Sequence, residues 1–431
     1  MLCISFFIIP TGSLPAQDIK QYNSLEELWQ DMKTHNYIIK NAAIQEKIAS
    51  LTYTSSIGNA INPRIPVNLN FTDYTKLQRN LIPGEFFGAE PGTFKQIQFG
   101  LQYATLATIQ PQFDILNPGS LSQIKYAEIN QKYIKNQQLL LERDVYEKVN
   151  ATYYNILSLR SQYEILKKNT AVAEQILSIV QSKYDEGIIR KQDVNDARSN
   201  MIIIKDNQEQ TAKNIEIQEQ ILSLFFENQI KPEIKENLVQ NTLSNVPESI
   251  SSTLTLQGIL LQSALLRQEI KGLQYQYLPT LSFVSSFNWQ HLSNDFFLAS
   301  DATSFTYNNI GLRLSWEFPT VQRISNIKNK QYQLQTLSLN EQHATQESLT
   351  ESRQLKTELE KAISQYDNYT ALQSLKEDSY QKYLLQYKEN VLPLDRLLTA
   401  QNDLLTIQLK TVTSLANKAF ITGRIKILNQ Y

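Results

Sequence analysis

The sequence contains few of the residues that interrupt or cross-link a compact fold. Among its 431 residues the only cysteine is Cys3, which excludes a disulfide framework and a thiolate metal cluster. Its 12 glycines and 13 prolines are few for this length, and this favours long uninterrupted helices over a Rossmann-like or all-β fold. The formal net charge of -1 argues against a nucleic-acid partner, which needs a basic surface.

The sequence also shows no cluster of side chains suited to catalysis. An enzyme needs an acid, base or nucleophile constellation, and no such grouping of residues is found. The three histidines, His35, His291 and His343, are far apart and lack the spacing of metal ligands. A glycine-rich phosphate-binding loop is missing as well. We therefore predict a protein that is not an enzyme and that uses no cofactor and no metal.

The N-terminal residues 1–17 resemble an export signal. An apolar run from Leu2 to Ile9 precedes small residues and a possible cleavage site after Ala16, although no basic residue comes before Lys20. Further along the chain there is no uninterrupted apolar stretch of the ~20 residues that a membrane helix needs. We predict a signal peptide over residues 1–17 that would remove Cys3.

The remaining chain reads as two halves with the same order of elements. Each half opens with an amphipathic helix, at residues 24–58 and 253–275, and a proline-marked exit follows. Two strand-like stretches with alternating apolar residues come next, at residues 67–71 and 97–103 in the first half and 281–289 and 310–318 in the second. The segments between the paired strands are predicted loops. The aromatic residues of these strands, Tyr103, Trp289, Tyr307 and Trp316, are either interfacial anchors or core and pore residues.

A long helix follows each strand pair, at residues 120–184 and 321–387. At 1.5 Å per residue, ~65 residues extend for ~100 Å, which is too long for an ordinary globular helix. Alternate steps of four and three residues from Val145 and from Leu355 meet mainly apolar or aromatic side chains as far as Tyr184 and Tyr387. The two heptad series lie 203 positions apart, which indicates an internal repeat of coiled-coil helices.

Both long helices end at the same point of this repeat. Gly187 follows Tyr184 as Asn390 follows Tyr387, and Gly and Asn are the residues that most readily adopt the left-handed conformation that ends a helix. A returning helix is predicted after each turn, at residues 191–227 and 394–424. The fold class is thus mainly α with a small β part, and we place the first repeat at residues 18–230, a linker at 231–251 and the second repeat at 252–431.

At these residues the chain resembles the TolC-like outer membrane efflux protein family. Residues Tyr184 to Arg198 contain the family's repeat signature, Y-x-x-G-x-x-x-x-x-D-V-x-x-A-R, and the second copy keeps Tyr387 and Ala400. The resemblance implies a homotrimer in which four strands per chain complete a twelve-stranded outer-membrane barrel, while the helical hairpins form a periplasmic tunnel. The open edges of the strand pairs in one chain agree with a trimer. Unpaired strand edges are unstable in lipid, so strands of other copies must pair with them.

The resemblance also implies a function and a set of partners. The protein would be a passive channel of a tripartite efflux or type I secretion system, which receives its substrate from an inner-membrane transporter through a periplasmic adaptor protein. The residues of the two turns would form the tips on which the adaptor docks: Gly187, Ile188 and Ile189 in the first, and Asn390, Val391 and Leu392 in the second. An exported or soluble coiled-coil scaffold without channel activity is the alternative, but it leaves the four strands unexplained, and a soluble one also leaves the export signal unexplained.

The same resemblance implies a gate at the periplasmic end. Asp193 and Tyr387 match positions that hold the family's closed state, and Asp196 accompanies Asp193 in the first repeat. The family's aspartate rings correspond to Arg396 and Thr399, so an acidic constriction is not expected. Arg396 would form a basic ring or pair with Asp193, and we favour the pair because a bare ring of like charges is costly in a narrow pore. Asp193 as an ordinary helix-start acid and Tyr387 as a seam residue remain open alternatives.

Overall fold

The computed structural model describes residues 18–61, 64–227, 230–238, 254–300 and 302–431. The predicted signal peptide, with Cys3, lies outside these ranges. The chain divides into two compact units. The hairpin unit comprises the described residues within Met1–Lys47, Ile134–Leu260 and Leu339–Tyr431, and the sheet unit comprises those within Ile48–Tyr133 and Leu261–Ser338. Both units draw residues from each half of the sequence.

Helices account for most of the described chain. They are α1 (Leu25–His35), α2 (Tyr37–Ile61), α3 (Pro118–Asp185), α4 (Lys191–Ser223), α5 (Leu254–Tyr275), α6 (Val321–Lys388) and α7 (Leu394–Gln430). The strands are β1 (Asp18–Tyr22), β2 (Val67–Asp73), β3 (Arg79–Pro83), β4 (Phe94–Gln98), β5 (Tyr103–Ile109), β6 (Gln112–Leu116), β7 (Ile230–Ile234), β8 (Thr280–Ser293) and β9 (Thr303–Ser315). Within the described ranges, none of the helices combines the length and apolar character needed to cross a membrane.

The predicted repeat appears in the bounds of the helices. The helices α3 and α6 each contain 68 residues, and they begin and end at positions that differ by the predicted offset. The returning helices α4 and α7 also begin at this offset. The two long helices and their returns are thus confirmed, whereas the division of the sequence at residues 230 and 252 stays a prediction.

The first predicted helix is interrupted at Asn36. This residue has an extended backbone (φ -95°, ψ 125°), and its side-chain Oδ1 accepts hydrogen bonds from the N–H groups of Ile38 and Ile39. It therefore ends α1 and caps α2, because an asparagine oxygen satisfies the free amides of a first turn. Its Nδ2 donates to the Phe225 carbonyl (2.8 Å), which fixes the break against the chain that follows α4.

The last helix is longer than predicted, and the connection between the halves contains part of a strand. The helix α7 continues to Gln430, past its predicted end at residue 424. Its last turns bury Ile425, Ile427 and Leu428, which explains why the helix does not end earlier. In the connection, β7 pairs in parallel with β1, while residues 239–253 lie outside the described ranges.

The second strand of the first half was predicted in the wrong place. Residues 94–98 form β4, which pairs with β3 in a separate two-stranded sheet, and the strand that pairs with β2 is β5. Gly100, with φ +103°, separates β4 from β5, since this conformation breaks an extended strand. The alternating pattern at 97–103 therefore spans two different elements.

The strands β5 and β6 follow one another along the same side of β8, so the main sheet has four strand positions. Both pair with β8 in the same register as far as Asp114, Tyr103 with Ser293 and Gln112 with Val284, and β9 pairs with the other side of β8. Pro111 lies between β5 and β6 and lacks an N–H for the ladder, but its carbonyl still accepts from the Ser285 N–H (2.9 Å). The order is β2, then β5 with β6, then β8 and β9, as expected for four strands per chain.

Helix packing in the hairpin unit depends on a close contact between α3 and α7. Asn150 is fully buried and donates from Nδ2 to the Phe420 carbonyl (2.9 Å). A Cβ atom at Gly423 would lie 2.1 Å from Asn150 Oδ1. The absence of a side chain at position 423 thus allows the two helices to approach.

We predict that Gly423→Ala lowers the free energy of unfolding by about 1–3 kcal/mol, because overpacking forces the helices apart. Denaturant unfolding followed by circular dichroism measures this. Gly311→Ala is the matched control, since a Cβ there meets nothing within 4 Å. In an Asn150→Ala background the same change at Gly423 should cost far less; an equal loss in both backgrounds would contradict the clash.

Candidate functional site

One face of the main sheet is apolar and exposed. Because residues paired across strands share a face, the registers place Val67 and Ile109 on the same side, together with Phe287. In β9, Leu312 pairs with Phe283 on this side and is 68% exposed. The large exposed residues of this face are Val67, Leu69, Phe71, Ile109, Phe113, Phe283, Phe287, Ile310, Leu312 and Leu314.

The opposite face of the same sheet is polar. Asn68, Thr108 and Asn288 lie side by side in one row across three strands, and Thr108 Oγ1 donates to Asn288 Oδ1 (3.0 Å). Asn288 is only 8% exposed. A soluble protein buries apolar residues and exposes polar ones, so this sheet has the reverse polarity. Its apolar face, called the outer face below, is suited to contact with lipid. Its polar face, called the inner face, is suited to contact with water.

A carboxylate lies on the polar face near the start of β8. Asp114 accepts hydrogen bonds from Ser282 Oγ (2.7 Å) and Asn117 Nδ2 (3.0 Å), and it forms an ion pair with Arg64 (2.8 Å). Arg313 occupies the position paired with Ser282 on this face. The polar side chains therefore include charged groups of both signs, which an apolar core would not accommodate unpaired.

Aromatic residues lie at both ends of the longest strand, β8. Tyr103 pairs with Ser293 at one end and contacts the Phe297 ring edge-on, with ring centres 5.0 Å apart. Trp316 follows β9 at the other end, stacks on Phe318 (5.2 Å) and donates from Nε1 to the Tyr277 carbonyl (2.9 Å). These two positions suit interfacial anchors. Trp289 stacks on His291 within the sheet, and Tyr307 lies in the row of Asn288 on the polar face.

The turns that end α3 and α6 have the same backbone geometry. Gly187 (φ +79°) and Asn390 (φ +60°) are both left-handed, as their sequence positions predict. In each turn the next residue donates its N–H to the carbonyl five residues before it, from Ile188 to Lys183 (2.8 Å) and from Val391 to Gln386 (2.9 Å). This is the Schellman pattern, which satisfies carbonyls at a helix end.

The predicted tip residues divide into exposed and packed ones. Ile188 is 52% exposed and Val391 is 74% exposed, while Ile189 and Leu392 pack against an apolar cluster. This tip cluster combines residues from all four hairpin helices and has these buried members: Ile176, Val180, Val194, Ala197, Tyr380, Tyr387, Leu394, Leu397, Ala400 and Leu404. At each tip, one apolar side chain is therefore exposed, and the side chain of the following residue packs against the tip cluster.

Tyr387 and Asp193, the two residues taken from the family's gate, lie close together. Tyr387 is 3% exposed within the tip cluster, and among the described residues no group forms a hydrogen bond with its hydroxyl. Burial raises the pKa of this hydroxyl, and the nearby Asp193 carboxylate adds to the increase. Asp193 itself accepts the Arg190 N–H (2.9 Å) at the start of α4. Both the gate role and the structural alternatives are compatible with this geometry.

The other predicted gate residues lie on the surface of the protomer. Asp196, Arg396 and Thr399 are exposed, and Thr399 Oγ1 donates to the Asp395 carbonyl (2.7 Å). Within the described residues of one protomer, Arg396 has no carboxylate within 4.0 Å, so it is not paired there with Asp193. A pair between copies of the chain, and a basic ring, both stay predictions.

Lys183 was not predicted from the sequence as a residue of the site. Its Nζ donates to Asn390 Oδ1 (2.7 Å) and to the Tyr387 carbonyl (2.6 Å), and it lies 4.2 Å from the centre of the Tyr387 ring. Removal from water lowers the pKa of this ammonium group. The sequence signal was weak, because a lysine before the motif tyrosine has no counterpart at the repeat offset, where Gln386 stands.

Comparison with known proteins identifies the fold. No family model and no curated protein matches the sequence. Solved structures do match: the Campylobacter jejuni CmeC outer membrane channel has a TM-score of 0.75 at 15% identity, covering 94% of this chain and 85% of that chain. The chain has the fold of a TolC-like outer-membrane channel.

Two further structures share the TolC-like fold. The Vibrio cholerae outer membrane protein VceC matches with a TM-score of 0.72 and 12% identity, covering 94% of this chain and 95% of that one. The Neisseria gonorrhoeae MtrE outer membrane channel in its open state matches with a TM-score of 0.73 and 12% identity, covering 94% and 88%. The resemblance inferred from the repeat signature is therefore confirmed for the fold.

We predict that the turn at Gly187 tolerates asparagine but not alanine. Gly187→Ala should lower the free energy of unfolding by about 1–2 kcal/mol, because a left-handed conformation is costly for most residues with a Cβ. Gly187→Asn should cost much less, since Asn390 adopts this conformation in the second turn. Urea unfolding of the detergent-solubilised protein compares the two, and equal destabilisation would refute the conformational explanation.

Proposed function

We propose that the protein is a passive channel of the outer membrane, which conducts substrates from the periplasm to the exterior as part of an efflux or type I secretion system. The reversed polarity of the sheet carries this proposal, because an exposed apolar face next to a polar inner face suits a water-filled pore in lipid. The strands β8 and β9 contain 14 and 13 residues. A tilted strand needs about 9–11 residues to cross the hydrocarbon core.

A homotrimer would complete the pore. The outer strands β2 and β9 each pair on one side only, so their free edges need strands from other copies. The helices of the hairpin unit also carry exposed apolar side chains that suit contacts between copies, including Ile202 and Ile203 on α4 and Leu372, Leu375 and Leu385 on α6. Twelve strands would form the barrel in the membrane, and the hairpins would form the periplasmic tunnel.

The hairpin tips are the proposed contact with a periplasmic adaptor protein. Ile188 and Val391 project from the two matched turns, and exposed apolar side chains on a rigid turn suit a partner surface. Transport would be driven by an inner-membrane transporter, because the sequence has no nucleotide-binding loop. We propose no enzymatic activity and no cofactor. If the protein were a coiled-coil scaffold without channel activity, the exposed apolar face of the sheet would have no apolar environment to contact.

The gate is proposed at the same end, at Asp193, Asp196, Tyr387, Arg396 and Thr399. The proximity of Asp193 to Tyr387 supports this location. Arg396, which forms no ion pair with the described residues of its own protomer, is available to a carboxylate of a neighbouring copy or to a basic ring.

Cell fractionation and planar-bilayer recording test the channel. The protein should be recovered from the outer membrane as a heat-modifiable trimer and should produce discrete conductance steps in a bilayer. Recovery as a cytoplasmic dimer without conductance would refute the proposal.

We predict that a charge on the outer face of β9 is far more damaging than one on its inner face. Leu312→Lys should destabilise the membrane-inserted protein by about 2–4 kcal/mol, because it places a charge near the middle of the lipid. Asn309→Lys, on the opposite face of the same strand, is the matched control and should have little effect. Unfolding from lipid vesicles in denaturant measures both; similar losses would contradict a lipid-facing side.

We further predict that Asp193→Ala and Arg396→Ala raise the single-channel conductance, because each removes a contact that would hold the gate closed. Thr406→Ala is a control, since this residue is exposed on α7 and bonds only to the Asn402 carbonyl in its own helix. Conductance equal to wild type in both gate variants would remove Asp193 and Arg396 from the gate.

A further inference from the structure

Lys183 connects the two hairpins of one protomer at their tips. It lies in the last turn of α3, in the first hairpin, while its hydrogen-bond acceptors belong to the end of α6 and to the turn that follows it in the second. The ammonium group bonds the Tyr387 carbonyl and the Asn390 side chain and also contacts the Tyr387 ring. A single side chain therefore holds the backbone, the turn residue and the aromatic ring at the end of the other hairpin.

These contacts combine one charged donor with neutral acceptors. Hydrogen bonds from a charged donor are stronger than neutral ones, and a partly desolvated cation over an aromatic ring adds further attraction. Glu186 and Glu389 act on Lys183 through space, but neither forms an ion pair with it within 4.0 Å. Tyr387 itself is buried, so its carbonyl and ring present a fixed target.

The first hairpin supplies the donor of this contact, and the second hairpin supplies the acceptors. At the repeat offset, Lys183 corresponds to Gln386, and Asn390 corresponds to Gly187, which has no side-chain acceptor. A reciprocal contact would thus lack both the charged donor and the side-chain acceptor of the Lys183 contact. Lys191 instead lies over the Tyr184 ring (5.3 Å) within the first hairpin itself. The contact between the hairpin ends is therefore made from position 183 of the first hairpin.

A second polar contact joins the hairpins further from the tips. Asn200 on α4 donates to Gln401 Oε1 (3.0 Å) and accepts from Asn402 Nδ2 (2.9 Å), both on α7. Between this amide contact and Lys183 lies the apolar tip cluster. Lys183 lies next to the two turns, so it joins the hairpins at the outer end of the seam, where their separation would begin.

We propose that Lys183 is a positioning residue of the gate, which latches the turn of the second hairpin against the first, and that the tips separate only when this latch is broken. This inference rests on the proposed channel function. Lys183 acts through Tyr387 and Asn390, and no direct contact with a transported substrate is required.

Planar-bilayer recording of the full-length protein tests the latch. Lys183→Met keeps the length of the side chain but removes its charge and donors, and should raise the mean conductance or the open time several-fold. Lys183→Arg retains charge and donors and should stay near wild type. The control is Lys382→Met, because Lys382 is exposed on α6 and bonds only to Asp378 one turn away (2.6 Å). Conductance of Lys183→Met equal to that of this control would overturn the latch.

A second variant separates loss of the latch from loss of the fold. Asn390→Gly removes the side-chain acceptor but suits the left-handed turn, so the protein should assemble normally and conduct more than wild type. Combining it with Lys183→Met should add little to Lys183→Met alone, because both changes break one contact. Additive effects would place the two residues in separate contacts and overturn the proposal. Wild-type protein that forms no channel would refute the proposed function instead.

Discussion

The register of β8 with its two neighbours is the constraint on which the sheet depends. Because side chains alternate along a strand, one register places Phe283, Phe287 and Leu312 outward and Asn288 and Ser282 inward. A slip of one residue would exchange the two sets and place amides on the face that is now apolar. The buried bond between Thr108 and Asn288 opposes such a slip, as does the carbonyl of Pro111, which keeps its ladder bond although its residue cannot donate one.

The helices were predictable because their signals are periodic and their ends carry specific residues. The heptad series and the paired residues Gly187 and Asn390 sufficed to place two 68-residue helices and both turns. The strands were harder to predict from the sequence. Residues 97–103 alternate well but are divided by Gly100, whereas the central strand formed by β5 and β6 alternates poorly and contains a proline. Hydrophobic patterns cannot distinguish these cases, since the pairing partners decide which segment joins the sheet.

The candidate site shows a similar division. Residues inside the repeat signature, such as Asp193 and Tyr387, could be found by their positions, and the structure brings them together. Lys183 could not be found in this way, because its role depends on a contact between two hairpins that lie about 200 positions apart in the sequence. The environment of Arg396 was also beyond prediction, since a long exposed side chain has no fixed partner in the sequence.

The unequal turns have a consequence for any ring built from this chain. Two equivalent hairpins per copy would give a ring of three copies six interchangeable elements and an approximate sixfold axis. Because Asn390 accepts a bond that Gly187 cannot, every second hairpin differs from its neighbours at the tip. The symmetry of such a ring would therefore be threefold at that end, and a protein that bound there could distinguish two kinds of groove between adjacent hairpins.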